Sequence, residues 1–383
     1  MEIKNLEKAA KRIKSAIRKK ERIVLYGDSD IDGVSSVIIL EEAIKNLKGE
    51  VSAIYFPDRE VEGYGISKTG LNALKKVAPA LLVAVDCGIG NFKEILLANK
   101  LGFKVIVVDH HEILDGLPRA LIIVDPKQKG DKYPFKELAA TAVVFKLAKL
   151  ILGDKISEAL QKNFLELVAL ATIADMMPKE SENVALVSEG LSSLKDSWRP
   201  GIQVIFTNDY FKTYPTLDQK ISKFVSILNV RDVAENFPAA FRVLSSPSLS
   251  AANEAMEVLI EKNERRKERI QDIVSEAQEM LSRRKDEEKI IFEGDDNWDY
   301  VLISAVASIL CHKYKKPTFI FKTVKDESQG TVRTPSGVNG VSLMKQCKKL
   351  LLTYGGHPAA AGFRIKNENL EKFRQCLLRQ FKG

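Results

Sequence analysis

The chain has 383 residues, of which 45% are apolar and 29% are charged. This length and composition are typical of a globular protein with two or three domains, and they exclude fibrous and intrinsically disordered chains. The formal net charge of +8 favours a polyanionic partner such as nucleic acid, although lysine-rich surfaces are also common in proteins that bind none.

Apolar runs and cysteines indicate the compartment. No apolar run approaches the length of a membrane span, and the charged N-terminal helix pattern lacks the apolar centre of a signal peptide. We therefore expect a cytoplasmic protein. Cys87, Cys311, Cys347 and Cys376 stand far apart with no Cys-x-x-Cys pair. Neither a disulfide framework nor a structural zinc site is indicated, so we expect reduced thiols.

After a basic N-terminal helix, apolar runs of strand length alternate with helical patterns. The predicted strands are RIVLYG, VSAIYFP, ALLVAVDCG, FKVIVVDHH and ALIIVDP. Segments with helical periodicity, such as SSVIILEEAIKNLKG and NFKEILLANKLG, lie between them. This alternation predicts an α/β fold in which helices cover both faces of a parallel sheet.

The second half of the chain predicts a connecting helix and a smaller domain. The pattern is helical from about residue 135, and the charged segment 249–289 has almost no glycine or proline to interrupt a helix. Strand patterns resume in KIIFEG, PTFIFKTV and SQGTVRTP, with helices predicted over VLISAVASILCHKY and VSLMKQCKKLLLTYGG. We predict an N-terminal α/β domain with a helical C-terminal part over 1–248, a connecting helix over 249–289 and a second α/β domain over 290–383.

Acidic and histidine residues follow the predicted strands. Three aspartates at alternate positions come after the first strand, one aspartate closes the third, and an Asp-His-His triplet closes the fourth: Asp28, Asp30, Asp32, Asp86, Asp109, His110 and His111. The carboxyl ends of parallel strands meet at one edge of a sheet, where ligand and catalytic groups gather. Asp175 ends an apolar helix, where an unpaired carboxylate is costly.

Crowded carboxylates raise one another's pKa unless a cation neutralises them, and a metal is the simplest such cation. Carboxylates with an imidazole suit Mn²⁺ or Mg²⁺, and two ions sharing a bridging aspartate suit in-line attack on phosphorus. Each element alone has another interpretation. The Asp-x-Asp-x-Asp-Gly loop also fits a calcium site or a solvated turn, Asp86 fits a helix N-cap, and the His-His pair fits an exposed surface.

Two nucleotide-binding folds fit less well. Gly88 and Gly90 follow a strand as in a dinucleotide-binding loop, but Lys93 stands where the third glycine is needed, and the aspartate-rich first loop is wrong for a pyrophosphate. No Gly-x-x-x-x-Gly-Lys-Ser/Thr motif occurs, which excludes a P-loop enzyme.

The ordered segments GDSDIDG, VDCGIGN, VVDHHE and ALATIADMMP resemble the four motifs of the DHH phosphoesterase superfamily, and TYGGHPAAAGF resembles the glycine-rich motif of the DHH-associated domain. The segments FPDREVEGYGIS and DPKQKGDKYPFKEL are similar to those of RecJ-type single-strand exonucleases. The resemblance covers most of residues 20–195 and 297–365. In one respect the sequence departs from typical bacterial RecJ enzymes, which carry a further OB-fold. We therefore expect a compact member, and compact archaeal RecJ-like proteins fit the length equally well.

The resemblance also implies an activity, the metal-dependent hydrolysis of phosphodiester bonds in single-stranded DNA or RNA. Two Mn²⁺ ions are the preferred cofactor, and Mg²⁺ is the alternative. The resemblance makes five residues metal ligands: Asp30, Asp32, Asp86, His110 and Asp175. Asp28 joins the metal site or its surroundings. His111 orients the scissile phosphate or protonates the leaving oxygen, and Asp109 holds an imidazole in its tautomer.

In the second domain the resemblance implies substrate binding by Arg333, Gly355, Gly356 and His357. Arg59 and Lys127, in the N-terminal domain, are weaker candidates than Arg333. Without it, the glycine pair also fits a helix C-cap, and a lone strand arginine is more often a surface residue. Replication or repair proteins are further candidate partners. Two rival functions stay open: a phosphodiesterase of short oligoribonucleotides or cyclic dinucleotides from the same superfamily, and a non-catalytic replication scaffold.

Overall fold

A computed structural model describes residues 2–113, 116–230, 232–234, 236–283 and 288–380. The chain divides into two compact units, Met1–Ile260 and Glu261–Gly383. Within the described ranges, no helix is both long enough and apolar enough to cross a bilayer.

The N-terminal unit is built on a five-stranded parallel sheet with the strand order β2-β1-β3-β4-β5. Its strands are β1 (Ile23–Gly27), β2 (Ala53–Tyr55), β3 (Ala80–Val85), β4 (Phe103–Val108) and β5 (Ile122–Val124). The helices around the sheet are α1 (Leu6–Arg18), α2 (Ile31–Asn46), α3 (Lys68–Leu74), α4 (Phe92–Lys100) and α5 (Ala140–Leu152). The parallel sheet predicted from the alternating pattern is confirmed.

Strand side chains alternate between two apolar layers. Residues such as Leu25 and Val83 pack into a large cluster with α1, α2 and α5, whereas Val24 and Leu82 pack into a second cluster with α3 and α4. Because successive strand residues face opposite sides, continuous apolar runs are what a sheet buried on both faces requires. Helices therefore cover both faces, as predicted.

The remainder of this unit is mostly helical. It comprises α6 (Glu158–Ala174), α7 (Ser181–Ser193), α8 (Pro200–Thr207), α9 (Asp209–Lys212), α10 (Leu217–Leu228), the short strands β6 (Val233–Ala234) and β7 (Phe237–Pro238), and α11 (Ala239–Leu244). The long helix α12 (Leu249–Ser282) follows and contains the boundary between the two units.

The C-terminal unit has a mixed five-stranded sheet with the order β11-β12-β10-β9-β8, in which only β8 and β9 are parallel. Its elements are β8 (Ile291–Asp295), α13 (Tyr300–Tyr314), β9 (Thr318–Thr323), β10 (Glu327–Arg333), α14 (Gly340–Gln346), β11 (Leu351–His357), β12 (Ala360–Lys366) and α15 (Leu370–Arg379). A core rich in phenylalanine, including Phe319 and Phe373, fills the space between this sheet and its helices.

One predicted helix of this unit is partly a strand. The helix predicted over VSLMKQCKKLLLTYGG ends at Gln346, and Leu351–His357 is an edge strand paired with β12. Pairing with a strand that lies later in the chain outweighs the local helical pattern. The glycine pair is therefore not a helix C-cap.

The expectation of reduced thiols is also wrong for one pair. Cys347 and Cys376 form a disulfide between residues 29 positions apart, with Cα atoms separated by 6.1 Å. Only the packing of the folded unit brings these side chains together, so sequence spacing alone could not reveal the bond. Cys87 and Cys311 are free and buried.

Candidate metal centre

The acidic residues meet where the order of the parallel sheet reverses. Strand β1 pairs with β2 on one side and with β3 on the other, so the loops after β1 and β3 leave the sheet in opposite directions. A crevice opens at such a point, beyond the carboxyl ends of the strands. Asp28, Asp30 and Asp86 follow these two strands directly.

Ligand atoms of the predicted residues approach one another in three overlapping groups. In each group, one ligand atom from each residue lies within 4.8 Å of the others. The groups are Asp86 with His110 and His111, Asp32 with His110 and Asp175, and Asp28 with Asp30 and Asp86. Residues spread over almost 150 positions of the chain thus form one pocket in the N-terminal unit.

Asp86 and His110 form the buried centre of this pocket. The Nε2 atom of His110 lies 3.3 Å from Asp86 Oδ1, yet Asp86 Oδ1 and both imidazole nitrogens are buried without a hydrogen-bond partner among the described residues. Burial, followed by repulsion from Asp32, raises the pKa of Asp86 well above its usual value. Three unsatisfied polar atoms at one point are costly unless a ligand completes them.

The backbone at Asp86 is also unusual. Its φ of +58° lies in the left-handed region, where aspartate is tolerated better than most residues. The conformation ends β3 abruptly at the edge of the sheet, and its backbone N–H still donates to the carbonyl of Val108 at 2.9 Å. Strain of this kind concentrates at functional sites.

Asp32 and Asp175 complete the pocket from two helices. Asp32 lies in the first turn of α2, and its carboxylate accepts the backbone N–H groups of Ala140 and Thr141 at 2.8 Å, at the start of α5. Asp32 Oδ2, the oxygen that accepts the Ala140 N–H, lies 3.7 Å from His110 Nε2. Asp175 follows the last residue of α6 and lies 3.6 Å from the same nitrogen. A carboxylate at a helix C-terminus faces the negative end of the dipole, so a nearby cation would stabilise it.

Burial, followed by repulsion from Asp32, raises the pKa of Asp175 to about 6. Burial likewise raises the pKa of Asp32, against the opposing charge of His110. Both carboxyl groups therefore resist ionisation in the metal-free protein. A divalent cation in the pocket would reverse this preference.

Asp28 and Asp30 already have a cation. The guanidinium of Arg59 forms a two-pronged ion pair with buried Asp28, with Nε donating to Oδ1 at 2.8 Å and Nη2 donating to Oδ2. The same Nη2 donates to Asp30 Oδ2 at 2.8 Å, while Asp30 Oδ1 accepts the backbone N–H of Gly33 as N-cap of α2. Arg59 thus offsets part of the charge in this half of the site, although burial still raises the pKa of Asp28, whereas no lysine or arginine of the described residues does so around His110.

Asp109, His111 and Tyr64 form a hydrogen-bonded chain beside the pocket. Asp109 is fully buried and accepts His111 Nδ1 at 2.8 Å and the backbone N–H of Ile89 at 3.0 Å. Burial opposes the ionisation of Asp109, but its bonds to His111 prevail and lower its pKa. Burial would also lower the pKa of His111, and the contact with Asp109 instead raises it. An imidazolium is thus favoured at His111.

The predicted substrate residues lie in the C-terminal unit. Arg333 donates to the Thr331 hydroxyl at 3.0 Å and the Ser308 hydroxyl at 3.1 Å, and also to Ser304. No described carboxylate pairs with its charge. Arg333 and His357 both lie opposite Ala360 in the sheet, so they share one face and stand two strand spacings, about 10 Å, apart.

The two glycines have different surroundings. A Cβ at Gly356, whose φ is +128°, would lie 2.7 Å from Ala360 O and Ala361 Cα, so close strand pairing requires this glycine. A Cβ at Gly355 would meet nothing within 4 Å. Only Gly355 therefore offers open space at its backbone, as expected of a glycine that admits a phosphate.

Sequence reasoning underestimated the loop between β2 and α3. Arg59 was ranked below Arg333 and Tyr64 was not singled out, yet the Tyr64 hydroxyl lies 3.0 Å from the Asp86 carbonyl oxygen and within 3.2 Å of the ring nitrogens of His111. The segment FPDREVEGYGIS, which contains both residues and resembles RecJ-type sequences, could have indicated their role. Lys127 pairs with Glu112 at 3.0 Å and Glu137 at 3.4 Å and is less available to a phosphate.

The residues of the pocket fit divalent metal ions. The donor set of carboxylate oxygens and one or two imidazoles matches Mn²⁺ and Mg²⁺. The unpartnered atoms of Asp86 and His110 are the positions at which a metal would satisfy buried polar groups. No described lysine or arginine lies within ion-pair distance of Asp86 or Asp175, so no side chain of the described residues substitutes for the metal there.

Comparison with known proteins identifies the fold family. Residues 22–172 match the model of the DHH family, N-terminal domain, and residues 287–383 match the DHHA1 domain. The chain is 32% identical to the single-stranded-DNA-specific exonuclease RecJ of Bacillus subtilis (strain 168) over 98% of its own length, and it spans 48% of that protein.

Two solved structures agree with this match. A crystal structure of exonuclease RecJ bound to manganese superposes with a TM-score of 0.80 at 26% identity and covers 99% of this chain and 95% of that one. RecJ from Thermus thermophilus in complex with Mn²⁺ gives a TM-score of 0.78 at 25% identity, over 99% of this chain and 55% of that one. The chain belongs to the DHH phosphoesterase family and is a RecJ-like member that carries a DHHA1 domain.

Proposed function

We propose that the protein is a metal-dependent exonuclease that hydrolyses phosphodiester bonds in single-stranded DNA. The observation that supports this most directly is the set of unpartnered atoms on Asp86 and His110 at the centre of a carboxylate pocket. The relatives named RecJ point to the same activity, and the solved RecJ structures with manganese point to the same metal.

The proposed metal ligands are Asp30, Asp32, Asp86, His110 and Asp175, with Mn²⁺ preferred and Mg²⁺ as the alternative. When bound, two such ions would polarise the phosphoryl group and stabilise the charge that develops on its oxygens. Asp28 holds Arg59 at the edge of the same pocket. We assign it a supporting role, because it is fully buried and binds the guanidinium through both oxygens, whereas Asp30 is partly exposed and shares only one oxygen with Arg59.

His111, beside the pocket, is the proposed proton donor. His111, whose pKa is raised by its contact with buried Asp109, would donate in its protonated form to an oxygen of the scissile phosphate or to the leaving oxygen. Asp109 fixes which nitrogen of the ring points away from it, since Nδ1 is the atom that it binds. No protein side chain is needed as the nucleophile in this scheme.

The C-terminal unit would hold the strand. Arg333 carries a charge whose hydrogen-bond partners are neutral hydroxyl and carbonyl groups, which leaves that charge uncompensated for a phosphate. His357 and open Gly355 lie on β11, two strands away from Arg333 across β12, and extend this phosphate-binding face. Replication or repair proteins acting on the same strand are the proposed protein partners.

The function is tested with oligonucleotides labelled at either terminus. Single-stranded DNA, single-stranded RNA, duplex DNA and a dinucleotide are incubated with metal-stripped protein and Mn²⁺, Mg²⁺ or a chelator. We expect labelled mononucleotides from single-stranded DNA with Mn²⁺ and none with the chelator. Cleavage of the dinucleotide alone would contradict the proposal and favour a short-substrate phosphodiesterase. No cleavage of any substrate would contradict it too.

A further inference from the structure

Two side chains of the candidate metal centre come from a loop that belongs to no strand or helix. The segment 56–67 joins β2 to α3 and contributes Arg59, which pairs with Asp28 and Asp30, and Tyr64, which contacts Asp86 and His111. It also contains Gly63 and Gly65, both with positive φ. This loop is well above the usual loop length of about 4–6 residues, and long loops in compact domains are often functional.

Such a loop needs internal anchors if its side chains are to meet their partners within hydrogen-bond distance. Each ordered backbone residue costs about 1–2 kcal/mol of conformational entropy. Displacement of a reacting or supporting group by about 1 Å can cost about a hundredfold in rate. The bonds that fix the loop therefore matter to the site even where they do not touch it.

Glu62 is the principal internal anchor of this loop. Its carboxylate accepts the Tyr55 hydroxyl at 2.9 and 3.0 Å, the backbone N–H of Asp58 at 3.0 Å, and the hydroxyl of Ser67. Tyr55 ends β2, and Ser67 is the N-cap of α3, where its hydroxyl also accepts the N–H of Gly70 at 2.8 Å. One carboxylate thus joins the start, the turn and the end of the loop.

The anchors are unequal along the loop. The part that follows Tyr64 has additional support, because Asn91 Oδ1 accepts the N–H of Ile66 at 3.0 Å and Tyr26 donates to the Gly65 carbonyl at 3.3 Å. The turn that carries Arg59 has bonds within itself, from the N–H groups of Val61 and Glu62 to Asp58 O at 3.1 and 2.7 Å and from the Glu60 N–H to Asp58 Oδ1 at 2.9 Å, and the Glu62 carboxylate, which accepts the Asp58 N–H, ties it to Tyr55 and Ser67. Loss of the carboxylate should therefore displace Arg59 more than Tyr64.

We propose that Glu62 is a positioning residue for the metal centre, acting through Arg59. The proposal rests on the proposed nuclease function and deepens it. The hydrogen bonds of the Glu62 carboxylate go to Tyr55, Asp58 and Ser67, and none goes to a metal-group residue in the described part of the chain. Its effect on the site is to hold the guanidinium of Arg59 on Asp28 and Asp30.

The test compares Glu62→Gln with Glu60→Gln. Glu60 lies two residues away in the same loop and is exposed, and its carboxylate has no hydrogen bond or ion pair within the described ranges, so the control makes the same chemical change without removing an anchor. A glutamine at position 62 has one acceptor oxygen in place of two, so it cannot accept the Asp58 N–H and the hydroxyls of Tyr55 and Ser67 together, and the link between the turn and the two ends of the loop is weakened. We expect Glu62→Gln to lower kcat/KM for a single-stranded DNA substrate with Mn²⁺ by roughly tenfold to a hundredfold and Glu60→Gln by less than about twofold.

A double-mutant cycle with Arg59→Gln separates positioning from a general structural role. If Glu62 acts through Arg59, adding Glu62→Gln to Arg59→Gln should lower kcat/KM by less than about twofold, because the shared interaction is already lost. Equal effects of Glu62→Gln in both backgrounds would overturn the proposal, as would wild-type activity in the single variant.

Mn²⁺ affinity of the metal-stripped protein gives a readout independent of turnover. Release of Arg59 leaves Asp28 and Asp30 unneutralised, so Glu62→Gln and Arg59→Gln should each tighten Mn²⁺ binding about threefold or more, without addition in the double variant. Should Glu62→Gln fail to fold, Tyr55→Phe removes one hydroxyl and is expected to show the same pattern at smaller size. If the wild type is inactive but both single variants bind Mn²⁺ more tightly without addition in the double variant, the proposed function is refuted and the positioning role of Glu62 stands. If the Mn²⁺ affinity of the single variants is unchanged, the positioning role is refuted.

Discussion

At the scale of single residues, the cost of the metal-free pocket is concentrated at Asp86. Its carboxylate is buried, has an unpartnered oxygen, and lies among other carboxyl groups. Asn keeps the shape and tolerates the left-handed backbone of this position. We therefore expect Asp86→Asn to stabilise the metal-free protein by about 0.5–2 kcal/mol, as in other trade-offs between stability and activity, and to abolish nuclease activity.

Thermal melts with and without Mn²⁺ check this prediction. The wild-type melting temperature should rise with Mn²⁺, because a ligand that binds the folded state stabilises it, and Asp86→Asn should lose most of that rise. Asp209→Asn, an exposed change on α9, should behave like the wild type. A variant at Asp86 that is less stable than the wild type without metal, or that keeps the full Mn²⁺ response, would show that the pocket is not strained by charge.

Asp125 gives the stability a pH dependence of its own. It follows β5, is fully buried, and has one oxygen without a partner among the described residues. Burial raises its pKa from 3.8 to about 7. Between these values the folded chain holds a proton that the unfolded chain releases, so the contribution of this group is complete below about pH 4 and is lost as the pH rises through about 7.

The replacement Asp125→Asn removes that titration. Denaturant unfolding of both proteins at several pH values should give a difference in free energy of unfolding that shifts in favour of the variant from pH 4 to 7 and then levels off. The other titrating groups cancel in this difference. A difference that stays constant with pH would mean that Asp125 has an ordinary pKa.

At the scale of elements, the two glycines of β11 are expected to differ in role: Gly356 is needed for strand pairing, and Gly355 for binding of the nucleic-acid strand. A side chain at Gly356 would collide with β12, whereas Gly355 has open space. We expect Gly356→Ala to destabilise the C-terminal unit by more than about 1 kcal/mol, and Gly355→Ala to leave its stability almost unchanged while weakening single-strand affinity several-fold. Chemical denaturation and fluorescence anisotropy measure the two effects. Equal losses of stability in both variants would contradict this account.

Four strands of the parallel sheet, β1, β3, β4 and β5, were predictable from sequence because each is a short, largely buried apolar run followed by Asp, and burial on both faces makes such runs unambiguous. Strand β11 was not predictable. Its residues Leu351–His357 are mostly exposed at a sheet edge and show no apolar alternation, so only their partner β12 makes them a strand. The disulfide between Cys347 and Cys376 was hidden for the same reason, since it depends on tertiary packing.

In the candidate site, too, some residues were predictable from sequence and others were not. Asp30, Asp86 and His110 were predictable because they directly follow buried strands, and the topology of a parallel sheet brings such positions together. Glu62 and Tyr64 lie in a loop with no periodicity, and their roles depend on hydrogen bonds that only the folded loop reveals. Resemblance to a family identified the segment but could not assign these contacts.

At the scale of the whole molecule, the metal ligands and the strand-binding residues belong to different compact units. We therefore expect Arg333→Ala to weaken single-strand affinity about tenfold or more while Mn²⁺ affinity stays within about twofold of the wild type. Arg364→Ala is the matched control: it removes an arginine from the same sheet, but one already neutralised by Glu327 at 2.7 Å. Anisotropy and metal titration measure both quantities.

Two outcomes would contradict this separation. Equal losses of affinity in Arg333→Ala and Arg364→Ala would indicate a general effect of charge rather than a phosphate contact at Arg333. A large loss of Mn²⁺ affinity in Arg333→Ala would indicate that the two sets of residues do not act independently.

The central claim is that acids and an imidazole scattered along the N-terminal unit form one pocket for divalent ions. Diffraction from crystals of the protein grown with Mn²⁺, recorded at the manganese absorption edge, tests it most directly. We predict anomalous peaks within bonding distance of Asp86 and His110, with Asp32 and Asp175 among the other ligands. Well-ordered manganese bound elsewhere, with Asp86 and His110 still unpartnered, would contradict the claim.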